Sequence, residues 1–232
     1  MLEHVLNLGN QLKTDLETSE GFTSVDYEKI VIVGMGGSGV AGDVLKLILN
    51  QYTNIDVEVR KTYNLTKTQI AARPFCLFIS YSGNTEETIS AAKNAIDENL
   101  EWAAISSGGE LLDLASKHNK KFVKVPDGLQ PRAAFGLMTK AVVNYLPNQT
   151  KKIFINACEE AGNYLNNLTE DASNEVFEIS KDIANQIGSK TAVIYAGSDL
   201  TYLVAQRWKT QINENSKSKA YVGFMPEVHH NE

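Results

Sequence analysis

The sequence predicts an α/β protein, a doubly wound five-stranded parallel sheet followed by a second unit that starts the same way and stops early. Three observations carry this expectation. Short apolar runs alternate with helix-length amphipathic segments through residue 125. Two of those runs, Ile30-Val31-Ile32-Val33 and Leu77 to Ser80, lead into small-residue loops that open directly into helices. A third such loop, Gly197-Ser198-Asp199, follows the run Ala192–Ala196 and repeats the strand–loop–helix pattern, the only internal repeat in the chain.

Each element has its own signal. Leu2, Val5, Leu6, Leu8, Leu12 and Leu16 recur at near-helical spacing, so residues 2–16 are expected to form an amphipathic helix. Ile30–Val33 is the first strand, followed by a glycine loop and a helix from about Val40 to Asn50. Ile55–Val59 is the second strand and Leu77–Ser80 the third, with a helix from Thr85 to about Glu98. Trp102–Ile105 is the fourth strand, with a helix near Leu111–Lys117, and Phe122–Val125 is the fifth. A helix from about Arg132 to Leu146 closes this unit, and Pro147-Asn148-Gln149-Thr150 marks a boundary between domains at 1–148 and 149–232. Helices near Lys152–Leu168 and Asn174–Ile187 follow, then the strand Ala192–Ala196, a long helix over Leu200–Asn215 and a short strand Ala220–Val222. Two strands do not make a stable parallel sheet, so the second domain is expected to be incomplete.

Bulk composition narrows the function classes. The chain has 232 residues, 43% apolar and 22% charged, ordinary for a soluble globular protein. Lys and Arg number 22 against 28 Asp and Glu, a formal charge of −6 with no basic run, which speaks against nucleic acid and anionic membranes as partners. Cys76 and Cys158 stand far apart, without metal-ligand spacing, and are expected to be buried free thiols in a reducing, cytoplasmic setting. The N-terminus has neither a basic region nor a long apolar run, so no signal peptide or membrane span is expected there.

The richest chemistry lies in Ser80-Tyr81-Ser82-Gly83-Asn84-Thr85-Glu86-Glu87-Thr88. A strand ends in hydroxyls and a glycine, and a helix follows. Asn84 is expected to cap that helix, with Glu87 three residues on completing a capping box. First-turn amides and the positive end of the dipole would then lie beside Ser80, Ser82 and Thr85, a phosphate site without a lysine. The plain alternative is a well-capped strand–turn–helix. Gly34-Met35-Gly36-Gly37-Ser38-Gly39 admits two readings. It fits G-x-G-x-x-G, and Glu58 stands near the spacing of a ribose-binding acid, which suits a dinucleotide. Gly36-Gly37-Ser38 equally offers a small backbone cradle with one hydroxyl, suited to a sugar beside the phosphate. No GxxxxGK[ST] is present, which disfavours nucleotide triphosphates.

Three further groups stand out. Arg132 opens a helix, where a cation is poorly placed for the dipole; it is either a solvated arginine or a fixed cation aimed at a developing oxyanion. Glu214 sits at the C-terminal end of the long second-domain helix, where the negative helix end should raise its pKa toward that of a general base; a surface glutamate is the competing reading. His229 and His230 are adjacent, and nothing in the spacing ranks one above the other.

Together, Gly34–Gly39, Ser80–Thr88, Gln130-Pro131-Arg132-Ala133-Ala134, Trp208–Asn215 and His230-Asn231-Glu232 resemble the bifunctional phosphoglucose/phosphomannose isomerase family, whose members carry two flavodoxin-like sugar isomerase (SIS) domains. The resemblance implies that Ser80, Ser82 and Thr85 hold a sugar 6-phosphate and that Gly37 and Ser38 contact the sugar. It implies that Glu214 carries the proton between C1 and C2, that Arg132 stabilises the cis-enediolate and that His230 assists ring opening. In the family that histidine reaches in from the neighbouring subunit, which implies a homodimer, and no metal or organic cofactor takes part. The family continues past the equivalent of Glu232, so further strands, a lysine of the active site and a threonine linked to dual specificity are expected to be missing. A non-catalytic sugar-phosphate sensor and another SIS isomerase, of pentose or heptose phosphates, remain alternatives. The sensor has no basic DNA-binding helix to work through, and the Arg132, Glu214 and His230 motifs speak against the other isomerases.

Overall fold

The computed structural model describes residues 2–21, 27–170 and 175–231. The chain divides into two compact units, Met1–Asn166 and Asn167–Glu232. The first unit runs α1 (Leu2–Leu6), α2 (Leu8–Lys13), β1 (Glu17–Thr18), β2 (Lys29–Gly34), α3 (Gly36–Tyr52), β3 (Asp56–Arg60), α4 (Lys67–Ala71), β4 (Phe75–Ile79), α5 (Glu86–Asp97), β5 (Trp102–Ser106), α6 (Gly109–Lys117) and β6 (Lys121–Lys124). A 3-10 turn (Pro131–Ala133), α7 (Phe135–Val143) and α8 (Asn148–Glu170) follow. The residues expected to mark the domain boundary, 147–150, lead into α8, most of which belongs to the first unit.

The sheet order is β1-β6-β5-β4-β2-β3. The five strands β2 to β6 pair in parallel, as expected of the doubly wound fold. Alternation along the two central strands explains why they read as unbroken apolar runs. Ile30, Ile32, Leu77 and Ile79 pack toward α3 and α7, while Val31, Val33, Cys76 and Phe78 pack toward α5 and α6, all at 1% exposure or less. From β2 the chain runs outward to β3, then crosses back to β4 and continues the other way, so β2 and β4 flank the switch point where doubly wound sheets bind ligands.

Two expectations are corrected. Residues 2–16 do not form one helix. The chain breaks at Asn7, whose Oδ1 accepts a 2.9 Å hydrogen bond from Asn10, and a polar side chain that bonds locally competes with helix continuation. The segment then straightens into β1, a sixth strand paired antiparallel to β6 (Glu17 opposite Lys124). The glycine loop is also shorter than expected, because α3 begins at Gly36 and takes Gly36–Gly39 into its first turn.

Both cysteines are buried and free. Burial pushes the Cys76 thiol up to about 12 from the ordinary 9.0. A raised folded pKa means the stabilising contribution is full below pH 9 and is lost as pH rises toward 12. Denaturant midpoints of the wild type are therefore expected to fall more steeply between pH 9 and 11 than those of Cys76→Ala.

The second unit runs α9 (Glu175–Ile187), β7 (Ala192–Ala196), α10 (Asp199–Gln211), a π-helical turn (Ile212–Ser216), β8 (Ala220–Phe224) and α11 (Val228–Asn231). The expected start of the first of these helices at Asn174 lies outside the described residues. β7 and β8 pair in parallel, Ala192 opposite Ala220, and one face of the pair leaves Val193, Tyr195 and Tyr221 exposed. No helix among the described residues is long and apolar enough to cross a membrane.

Candidate active site

The switch point gathers the hydroxyl loop. Ser80, fully buried at the end of β4, accepts a hydrogen bond from the Gly83 amide (3.1 Å), and its Oγ pairs with Thr85 Oγ1 at 2.8 Å. Ser82 is exposed, its Oγ accepting from the Asn84 amide at 3.2 Å. Gly83 has φ +72°, and a Cβ there would collide with the Gly108 carbonyl, so only glycine lets the loop turn this tightly.

The expected capping box is not formed. Helix α5 begins one residue later, with Thr85 at the N-cap, and no side-chain cap is present. Asn84 Oδ1 instead accepts from the Glu110 amide at 3.0 Å, and Thr85 Oγ1 is engaged with Ser80. The N-cap side chain thus makes no hydrogen bond to the first-turn amides of α5, those of Glu86, Glu87 and Thr88. An open helix N-terminus with two hydroxyls at its mouth can bind a phosphate group. The repeat in the second unit differs here. Ser198 Oγ accepts from the Thr201 amide (3.3 Å) and Thr201 Oγ1 from the Ser198 amide (2.9 Å), a closed capping box on α10. The same strand–loop–helix pattern therefore leaves the helix N-terminus without a side-chain cap in the first unit and closes it with a capping box in the second.

Neighbouring residues converge on this loop. Ser38, buried in the first turn of α3, accepts from the Tyr81 amide at 3.1 Å. The Tyr81 hydroxyl donates to the Pro126 carbonyl (2.9 Å) and accepts from the Leu129 amide (3.0 Å), tying the loop to the segment that leads to Arg132. Burial is the main reason the Tyr81 phenol titrates above its ordinary value. A Cβ on Gly37 would come within 3.1 Å of the Pro131 carbonyl, so the absence of a side chain lets α3 approach the Arg132 turn. The first unit thereby brings together Gly37, Ser38, Ser80, Ser82, Thr85 and the half-buried Arg132. Arg132 does not begin a long helix as expected. It lies in the 3-10 turn, two residues ahead of Ala134, the N-cap of α7.

One part of the site was missed in the sequence. Ser106-Ser107-Gly108-Gly109, at the end of β5, braces the hydroxyl loop. Ser107 donates to the Tyr81 carbonyl through Oγ (2.6 Å) and through its amide (2.9 Å), and the Leu111 amide donates to the Gly83 carbonyl (3.0 Å). Its signal was available: hydroxyls and glycines directly after an apolar run, the same grammar as Ser80–Gly83. Glu58, the candidate ribose acid, lies mid-strand opposite Val31 and pairs with Arg60 at 3.7 Å, short of the strand's carboxyl end where nucleotides bind.

Glu214 and His230 belong to the second unit. Glu214 is half-buried within the π turn, and π turns are frequent at functional sites. Asn213 Oδ1 accepts from the Ala220 amide at 2.9 Å, anchoring that turn to β8. Burial lowers the pKa of Arg207, two helical turns before Glu214, and the Glu214 charge opposes that shift. His229 and His230 are both exposed on α11, whose last residues lead to Glu232, outside the described residues.

A curated relative from Caldicellulosiruptor bescii, named bifunctional phosphoglucose/phosphomannose isomerase, is 34% identical over the whole of this chain and 70% of its own length. The chain belongs to the bifunctional phosphoglucose/phosphomannose isomerase family. A Thermoplasma acidophilum relative of the same name is 37% identical, over 99% of this chain and 70% of its own length. The chain thus spans about two thirds of the length of these family members. Residues 25–125 match the SIS domain, and residues 178–232 match the bacterial phospho-glucose isomerase C-terminal SIS domain. A Sulfolobus acidocaldarius protein named D-glucosamine-6-phosphate 4-epimerase is 34% identical over 88% of this chain and 63% of its own. Among solved structures, tagatose-6-phosphate ketose/aldose isomerase from Escherichia coli superposes with TM-score 0.63 at 14% identity, over 99% of this chain and 62% of that one. The C-terminal domain of glucosamine-fructose-6-phosphate aminotransferase from Francisella tularensis gives 0.64 at 15% identity, over 100% and 71%. At these identities the structures share the fold.

Proposed function

We propose that the protein is an aldose–ketose isomerase that interconverts glucose 6-phosphate or mannose 6-phosphate with fructose 6-phosphate through a cis-enediolate. The uncapped N-terminus of α5, ringed by Ser82 and Thr85 and adjoining Gly37 and Arg132, is the observation that carries this reading. The 6-phosphate sits on the Glu86–Thr88 amides with the Thr85 and Ser82 hydroxyls, and Ser80 orients Thr85. Gly37 and Ser38 contact the sugar. Phosphate binding energy holds the open chain in place for chemistry at the far carbons.

Glu214 removes the proton from C2 of the open-chain aldose and returns it to C1. The electron pair left at C2 forms the C1–C2 double bond as the C1 carbonyl pair moves onto O1, giving the enediolate whose oxygens face the Arg132 cation, and the proton on O2 passes to O1 as C2 becomes the ketone. His230 moves the proton that opens and closes the ring, reaching the site from the neighbouring subunit of a homodimer. The substrate partner is a sugar phosphate, and neither a nucleic acid nor a membrane is a partner.

Incubation with fructose 6-phosphate in deuterium oxide tests the reaction. The expected outcome is an aldose 6-phosphate bearing deuterium at C2, read by proton NMR and mass spectrometry. An aldose product with no solvent deuterium at C2 in any turnover, or binding without exchange, contradicts the enediolate route. A product inverted at C4 with its C2 ketone intact points instead to chemistry like that named for the Sulfolobus relative.

A further inference from the structure

Gln11 is 2% exposed, on α2, and is held by three hydrogen bonds to one short stretch of distant chain. Its Oε1 accepts from the amides of Gly136 (3.0 Å) and Leu137 (3.3 Å), the second and third residues of α7. Its Nε2 donates to the Ala133 carbonyl at 2.9 Å. Ala134, the N-cap of α7, has no side chain able to cap, so Gln11 supplies the cap from another element. The same amide also grips the last residue of the 3-10 turn that carries Arg132.

Only a neutral amide meets both demands. Two amide donors face its oxygen and one carbonyl faces its nitrogen, so reversing the group would set like against like. A hydrocarbon would leave three buried backbone groups unpaired. Packing reinforces the grip. A Cβ on Gly136 would lie 2.6 Å from Gln11 Cβ, so the glycine is what lets α2 come this close. On its other side the turn meets Gly37 of α3 at the Pro131 carbonyl. The Arg132 turn is thus held between two helices.

We infer that Gln11 is a positioning residue for Arg132, fixing the turn so that the guanidinium is set in advance toward the carbonyl end of the sugar phosphate. This rests on the role given to Arg132 above. Two probes separate it from a merely structural role: a five-carbon aldonic acid 5-phosphate, whose carboxylate imitates the planar enediolate, and the matching alditol phosphate, which lacks it. Calorimetry on the full chain gives the ratio of their dissociation constants, which divides out the phosphate contribution and the folded fraction.

The wild type is expected to prefer the carboxylate probe by about 10- to 100-fold, as a charge-assisted hydrogen bond would give. Arg132→Ala is expected to erase that preference. Gln11→Glu retains the cap on Gly136 and Leu137, where a carboxylate is welcome, but sets its second oxygen against the Ala133 carbonyl. It is expected to lose most of the preference with little change in alditol phosphate affinity, and to add nothing to Arg132→Ala. If Gln11→Glu does not fold, Gly136→Ala, which presses on the Gln11 Cβ, decides by the same ratio. A wild-type ratio in a folded variant of either kind, with Arg132→Ala still erasing it, overturns the role of Gln11 alone. A wild-type ratio in Arg132→Ala overturns the assignment of Arg132, and the inference falls with it.

Discussion

Replacing Thr85 with Asp is expected to abolish sugar-phosphate binding while leaving the fold intact. An aspartate at the N-cap accepts hydrogen bonds from the amides of Glu87 and Thr88, the groups assigned to the phosphate. That cap contributes about 0.5–2 kcal/mol of stability. It offsets the lost bond between Thr85 and Ser80, which is worth about 1 kcal/mol. The melting temperature should therefore stay within a few degrees of the wild type or rise. Binding moves the other way, because the phosphate dianion now meets a carboxylate on its own amides. An affinity loss of about 100-fold or more is expected, since like charges in contact cost several kcal/mol. Thr85→Val, which removes the hydroxyl and keeps the amides open, should weaken binding by only about tenfold. Calorimetric titration with glucose 6-phosphate and thermal denaturation of the same samples check both signs. Undiminished binding by the Asp variant would place the phosphate elsewhere.

Glu214→Gln is expected to remove turnover and spare binding. The substitution keeps the size and hydrogen-bonding reach of the side chain and deletes its basicity. A positioned general base supplies about 10²- to 10⁴-fold, so kcat should fall by about a thousandfold. The dissociation constant for fructose 6-phosphate should change by less than about twofold, because uniform binding does not depend on the base. Exchange of the C2 proton of glucose 6-phosphate with solvent should vanish in parallel with turnover. A variant that exchanges that proton at the wild-type rate would exclude Glu214 as the base. Arg207, whose cation feels the Glu214 charge, should also become easier to deprotonate in the Gln variant, since the opposing charge is gone.

The sheet was legible because its central strands are buried on both faces and therefore appear as continuous apolar runs. The hydroxyl loop was legible as a composition, but its internal wiring was not. Asn84 looks like a helix cap in any local window. What diverts it is the Glu110 amide, 26 residues further along the chain. The same holds for Gln11, one polar residue in an amphipathic segment, whose partners lie 122 to 126 residues away. The π turn around Glu214 is hidden for a related reason: it is anchored by the contact of Asn213 with Ala220 across the following loop. Local pattern thus located the candidate residues, while the contacts that orient them are formed between elements distant in sequence.

The most direct measurement is an amide NMR titration of the isotopically labelled protein, with glucose 6-phosphate in one series and unphosphorylated glucose in the other. Binding at the open N-terminus of α5 predicts large downfield shifts of the Glu86, Glu87 and Thr88 amides with the phosphate ester only, absent in Thr85→Asp. Unmoved amides at those three positions under saturating ligand, with shifts gathered instead at another helix N-terminus, would contradict it.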